Sequence, residues 1–223
     1  MRRLYILCEG QTEENFVNTI LNPYLYNMAI FAIPIICATK RTSARKYKGG
    51  VSSFGKIEKE LRRLCDEHTN EMVTTMFDLY ALPHDTPGLG SGIRDVYEKV
   101  RFIEGAVSEQ IGNKHGNMIF NLVLHEFEGL LFSDVSAFSS AADNEAVDLL
   151  KKVRDAVPTP EHINDSPETA PSKRVAKAIP AYSKVVDGID IAEKIGIEKM
   201  KSECRHFSNW LDKLIRNSRP TGI

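Results

Sequence analysis

The chain predicts an α/β fold: a mainly parallel four-stranded sheet flanked by helices, followed by a C-terminal helical extension. Three observations predict it. Short apolar runs at 3–8, 31–38, 72–78 and 118–124 alternate with helical patterns through residue 140, the order that builds a parallel sheet with helices on its faces. Beyond residue 140 only helical spacing remains, which divides the chain into an α/β part at 1–140 and a helical part at 141–223. Three of the apolar runs also end in acids, at Glu9, Asp78 and Glu126 with Glu128.

The elements follow in order. Residues 3–8 carry Leu4-Tyr5-Ile6-Leu7, a first strand, and Gly10 lets the chain turn after it. Residues 13–28 form a helix with Thr12 as N-cap and Glu13 and Glu14 in the first turn, where the helix dipole favours acids. Its apolar face is Phe16, Ile20 and Tyr24. The second strand, 31–38, contains Pro34, which withholds a ladder donor and places this strand at an edge. A helix at 54–68 has Ile57, Leu61 and Leu64 on one face. The third strand, 72–78, ends at Asp78. A loop rich in Pro and Gly at 83–92 follows and forms a lip beside Asp78. It lacks the Gly-Lys-Ser/Thr ending of a Walker loop, so no ATP site is expected. A helix at 93–111 leads to the fourth strand, 118–124, which runs into His125-Glu126-Phe127-Glu128. Helices at 143–156, 173–186, 189–195 and 197–216 complete the chain, with 157–172 as a loop.

Composition excludes several classes. Of 223 residues 42% are hydrophobic, enough for a core, and the net charge of −1 gives no whole-protein field for nucleic acid. The four cysteines form no Cys-x-x-Cys pair, so no zinc site is expected. Cys8 and Cys37 lie in apolar runs and read as buried thiols. No stretch approaches membrane-spanning length and no signal peptide is visible, which points to a cytoplasmic protein.

In an open parallel sheet, ligands bind outside the carboxyl ends of the strands. All strands present those ends on one edge, so the strand-end acids are expected to meet there. Clustered carboxylates raise one another's pKa unless a cation neutralises them. Hard oxygen ligands suit Mg²⁺ or Mn²⁺, and such ions support phosphoryl transfer. Each acid also has a plainer reading: Glu9 as a helix cap, Asp78 as an ordinary strand end, Glu126 and Glu128 as dipole-favoured acids opening a surface helix. His125 is not a zinc-protease residue, because no His stands four residues after it. It is a candidate for orienting a carboxylate or touching phosphate, beside the commoner structural role.

Cys8-Glu9-Gly10-Gln11-Thr12-Glu13-Glu14, Phe77-Asp78-Leu79-Tyr80-Ala81-Leu82-Pro83 and the stretch His125–Asp134 resemble a bacterial family catalogued only as a domain of unknown function. Residues 168–174 and 204–211 resemble it too, so the likeness covers nearly the whole chain. The family is regarded as Toprim-like and related to nucleases of overcoming-lysogenisation-defect type. Its members are often encoded beside an SMC/ABC-type ATPase in clusters linked to phage defence. The resemblance implies a Toprim-like sheet, with Glu9 as general acid/base or metal ligand and Asp78 as metal ligand. The Toprim pattern is Glu-Gly after the first strand and Asp-x-Asp after a later one. Here Asp78-Leu79-Tyr80 lacks the second Asp, and Tyr80 is no hard anionic ligand at neutral pH. Either Glu126 and Glu128 complete the metal set, or affinity is low and the domain binds without cutting.

The densest basic run, with Lys40, Arg41, Arg45, Lys46 and Lys48, is a candidate nucleic-acid contact or a solvated loop. Lys173 and Arg174 open a helix after Ser172, a candidate cap, and that N-terminus is a second candidate phosphate contact. The leading expectation is a nuclease dependent on Mg²⁺ or Mn²⁺, with Glu9, Asp78 and His125 catalytic, and Glu9, Asp78, Glu126 and Glu128 holding metal. It would act on DNA or RNA with the neighbouring ATPase as partner; a homodimer stays open. The alternatives are a non-catalytic adaptor of that ATPase and a hydrolase of nucleotides or phosphate esters.

Overall fold

The computed structural model describes residues 1–37, 53–112, 114–163 and 168–218. Its centre is a parallel sheet in the order β2-β1-β3-β4, with a short β5 also pairing β3. Strand β1 (Arg2–Cys8) lies between β2 (Ile30–Ile36) and β3 (Met72–Asp78). Side chains alternate across β1. Leu4, Ile6 and Cys8 enter one core, and Tyr5 and Leu7 enter the other, as expected of a parallel strand covered on both faces. All four cysteines are buried free thiols.

The chain leaves β1 through one helical stretch of three segments: α1 (Gln11–Phe16), a π turn (Val17–Leu21) and α2 (Asn22–Tyr26). The π turn ends two residues before Pro23, which cannot donate to the helix and whose ring crowds the preceding turn. The N-cap is Gly10 rather than Thr12, which lies buried inside the first turn. Gly10 has extended backbone angles open to any residue, and a Cβ there would meet only Glu13 Oε2 at 3.7 Å. A turn requirement therefore does not account for this glycine.

Among the described residues β2 pairs only with β1, and it carries Pro34, so it is the edge strand that the proline predicts. Helix α3 (Phe54–Glu67) packs Ile57, Leu61 and Leu64 on the Tyr5/Leu7 face of the sheet. Helix α4 (Val96–Ile111) covers the same face. It begins at Asp95, whose carboxylate accepts from Glu98 N at 2.9 Å, and ends at Gly112 with φ of 73°. The predicted fourth strand is two pieces, β4 (Met118–Ile119) and β5 (Leu122–Val123). At the break the ladder is replaced by a side chain: Thr75 Oγ1 donates to Asn121 O and accepts from Asn121 N.

The remaining helices are α5 (Glu128–Leu131), α6 (Asn144–Asp155), α7 (Pro171–Ala178), α8 (Asp187–Ile195), α9 (Ile197–Glu203) and α10 (Arg205–Asn217). The expected helix 173–186 is shorter than predicted and stops at Ala178, and the expected helix 197–216 breaks at Cys204. Residues of α6 to α10 join the Leu4/Ile6 core. Trp210, almost fully buried, donates its indole N–H to Thr74 Oγ1 of β3 at 2.9 Å.

Candidate functional site

The strand order reverses between β1 and β3. The chain leaves β1 for β2 on one side, and β3 to β5 extend the sheet on the other. A switch of this kind opens a crevice at the carboxyl ends of the two central strands. Glu9 and Asp78 stand there. The Glu9 amide continues the ladder by donating to Met76 O at 3.2 Å. Its carboxylate Oε2 accepts a long bond of 3.4 Å from Asp78 N.

The motif His125-Glu126-Phe127-Glu128 brings further acids to the same edge. Its anchor is Phe127, fully buried and set edge-on against Phe16 with ring centroids 5.5 Å apart. The Phe127 amide donates to Asp78 Oδ1 at 2.9 Å. With Phe127 fixed, its two flanking acids diverge. Glu128 is buried, 1% exposed, beside Asp78. Glu126 accepts from Ser172 N at 2.9 Å at the start of α7. Ser172 is therefore not the cap of that helix. The N-cap position is Ala170, which has no side chain to offer, and a carboxylate 46 residues away supplies the acceptor and opposes the dipole. The N-terminus considered for phosphate already has its anion. His125 is buried and adopts φ of 61°, a left-handed conformation uncommon outside glycine and often found at functional turns. Its carbonyl accepts from Tyr80 N at 3.0 Å, which ties the end of β5 to the turn after Asp78.

Two members of the site are absent from the sequence reading. Glu13, expected as a dipole-favoured acid of the first helical turn, is 4% exposed and faces inward; its Oε2 accepts from Gly10 N at 2.9 Å. Lys184, from the segment between α7 and α8, brings its Nζ to 3.2 Å from both Asp78 Oδ2 and Glu128 Oε2 and to 3.9 Å from Glu13 Oε1. The helical spacing of Glu13 hid one role behind another. No periodic or motif signal marks Lys184.

One ammonium thus stands among Glu9, Glu13, Asp78 and Glu128, with Glu126 close by. Burial, reinforced by Asp78 and Glu13, pushes the Glu9 carboxyl up to about 8. Burial, partly offset by Lys184, pushes Glu128 up to about 7. Burial likewise raises Asp78 and Glu13. Burial works against the Lys184 ammonium, but its attraction to Asp78, Glu128 and Glu13 prevails and holds it charged. The cluster is buried and short of positive charge, and it takes up protons first because of burial and then because its carboxylates repel one another.

Hard carboxylate oxygens suit a divalent ion in ligand type. Among the described residues, no three His, Cys, Asp or Glu side chains already stand at ion-holding spacing; the Lys184 ammonium stands among the acids. Tyr80, where a further acid would be expected, is 46% exposed. Of the candidate nucleic-acid contacts, Lys40, Arg41, Arg45, Lys46 and Lys48 lie outside the described residues. Lys173 is exposed, and Arg174 donates to Thr169 O at 3.1 Å.

Fold and site together define an α/β protein with a buried acid cluster at the switch point of a parallel sheet. The family model described as "Domain of unknown function (DUF4276)" matches residues 8–215, and the chain belongs to that family. No curated protein matches. Two solved structures of the C-terminal region of the Xanthomonas campestris pv. campestris OLD protein are similar to this chain. The one phased with iodine is 16% identical, with 96% of this chain and 97% of that one covered and a TM-score of 0.40. The one phased with mercury is 14% identical, with 96% and 98% covered and a TM-score of 0.36.

Proposed function

We propose that this chain is a divalent-metal-dependent nuclease, hydrolysing phosphodiester bonds of DNA or RNA. The observation that carries the proposal is the buried acid cluster at the β1/β3 switch point, which holds four carboxylates and one ammonium. The resemblance of Glu9-Gly10 and Asp78 to Toprim motifs supports it, and brings with it the proposal of an SMC/ABC-type ATPase as partner in phage defence.

Glu9, Asp78 and Glu128 are the residues that would hold Mg²⁺ or Mn²⁺ in the crevice, and Glu126 would join them on releasing Ser172 N. When bound, such an ion supplies an activated water and neutralises charge on the leaving oxygen. The chain's own residues do the rest. In the metal-free chain the Glu9 carboxyl lies near 8, so protons and an ion compete for it near neutral pH, and as a carboxylate it would serve as the general base. Asp78 is held at one oxygen by Phe127 N and at the other by Lys184. This fixes its orientation towards the crevice. His125 orients the turn that carries Glu126 and Glu128.

The purified chain should nick plasmid DNA or degrade RNA with Mn²⁺, and Glu9→Gln should lower the rate by roughly 100-fold or more. Metal-dependent cleavage unchanged in that variant overturns the assignment.

A second reading is favoured by Lys184. An ammonium hydrogen-bonded to Asp78 and at ion-pair distance from Glu128 is the arrangement of a structural ion-pair network, and in a non-catalytic adaptor nothing else is needed there. Calorimetry separates the two: Mg²⁺ or Mn²⁺ binding at millimolar concentration supports the nuclease, and no heat of binding supports the adaptor.

A further inference from the structure

A groove of about 320 Å³, lined by Tyr97, Arg101, Arg205, His206 and Asn209, lies where the first turns of α4 and α10 meet. Among the described residues no carboxylate lines it. Arg101 and Arg205 are exposed, and among the described residues neither is in an ion pair. Free guanidiniums on a chain of net charge −1 are notable because its other cations are often spent locally, as Arg62 is on Glu58 and Arg154 on Glu203.

The groove is also built. Arg205 lies over the Tyr97 ring, its guanidinium carbon 4.2 Å from the ring centroid. The Tyr97 hydroxyl in turn donates to Glu161 Oε2 at 2.9 Å and contacts Thr159 Oγ1 at 3.2 Å. A planar guanidinium held on an aromatic face loses little freedom on binding an oxyanion. The acids beneath the groove are occupied. Glu161 is 4% exposed and also accepts from His206 N and Phe207 N, at 3.0 Å each, so the start of α10 is already capped. Glu104 accepts from Leu122 N and pairs with His206 Nε2, both at 3.0 Å. Positive groups therefore face solvent, and negative ones are satisfied from inside.

From these contacts we infer that the groove binds the phosphodiester backbone of a nucleic-acid strand, through Arg101 and Arg205, with Asn209 as a neutral donor. Its position suits the proposed chemistry. Leu122, bonded to Glu104 under the groove, precedes Glu126 by four residues, a span of at most about 14 Å. One short segment of chain thus joins the floor of the groove to the turn that carries Glu126. The choice of a nucleic acid rests on the nuclease reading; the anion site itself does not.

The test is fluorescence anisotropy of a labelled single-stranded oligonucleotide with the full chain in EDTA, so that no cleavage enters. The double variant Arg101→Ala/Arg205→Ala should bind roughly tenfold more weakly. Its plot of log affinity against log salt should flatten by about 1.4, the value for two lost phosphate contacts on a single strand. Lys194→Ala, which removes an exposed charge on α8, should do neither. Arg205→Lys, which keeps the charge and loses the stacked plane, should fall between wild type and the double variant, and it serves if the double variant folds poorly. Affinity and salt slope unchanged in the double variant overturn the inference. So does a groove that binds inorganic phosphate by calorimetry while oligonucleotide affinity ignores both arginines: it would then be a small-anion site. Cleavage is not measured, so loss of the acid-site reading leaves this result standing, and failure here leaves that reading intact.

Discussion

Lys184 is the residue on which the character of the site turns. Its ammonium is the one cation within ion-pair distance of Asp78, Glu128 and Glu13 among the described residues, and those carboxylates are nearly inaccessible to water. Removing one partner of a buried pair leaves the other charge uncompensated, at a cost of about 3–5 kcal/mol. Lys184→Met should therefore destabilise the metal-free protein by about that amount in urea titrations above pH 8. Well below the Glu128 value of about 7 the loss should shrink, because Glu128 and Glu9 are then neutral and need no counter-charge. An equal loss at both pH values would mean that Lys184 matters for packing over Phe127, whose ring centroid is 5.8 Å from Nζ, and not for charge. Lys184 was illegible in the sequence for a physical reason: it is a single residue of an irregular segment, 106 positions from the Asp it serves, and neither spacing nor motif encodes that contact. Glu9 and Asp78 were legible because strand ends are, and a strand end in a parallel sheet has a known address.

At the scale of elements, periodicity carried the sheet and most helices, and it failed where side chains replace backbone pairing. The fourth strand reads as one run because Met118–Leu124 is apolar apart from Asn121, and it is at Asn121 that Thr75 from the neighbouring strand takes over the backbone groups and splits it. The helix from 197 divides at Cys204 without a Gly or Pro to announce it. Ser172 looked like a cap, but Glu126 does that work from another element. The edge of β2 shows the same device. Asn22, at the start of α2, donates to Ala32 O at 2.8 Å and accepts from Ala32 N at 2.7 Å, occupying a residue of the edge strand as a neighbouring strand would. Asn22→Ala leaves both Ala32 groups without that partner. It should lower stability by about 1–3 kcal/mol, and hydrogen exchange should show the Ala32 amide losing protection ahead of the β1 and β3 amides. Unchanged protection at Ala32 would show that the edge is covered by other means.

For the whole molecule, the consequential fact is strand order. The sequence pattern supplies strands and helices in alternation, but it does not state which strand lies beside which. With right-handed crossovers, the helix after β1 covers one face and α3 and α4 the other. That arrangement makes β1 and β3 neighbours and concentrates the acids in one crevice. The stability of the fold is thereby coupled to pH. In the unfolded chain Glu9 and Glu128 lose their protons near the ordinary value of 4.5, whereas in the folded chain they hold them up to about 8 and about 7. Between those limits the folded state binds more protons than the unfolded one, so stability falls as pH rises. Each group contributes up to about 1.4 kcal/mol per pH unit inside its own window. The metal-free protein should accordingly melt at progressively lower temperature as pH rises from about 5 to about 8, and level off once Glu9 is ionised. A divalent ion that binds the carboxylates supplies the missing charge. Mg²⁺ or Mn²⁺ should then raise the melting temperature most at the alkaline end, where the ligands are ionised, and least near pH 5, where protons compete. Glu9→Gln, neutral at every pH, should flatten the metal-free profile above pH 7 and weaken the response to metal. A metal-free profile that rises across this range would show that the acids are not buried as a group, and the cluster would lose its claim to be a cation site.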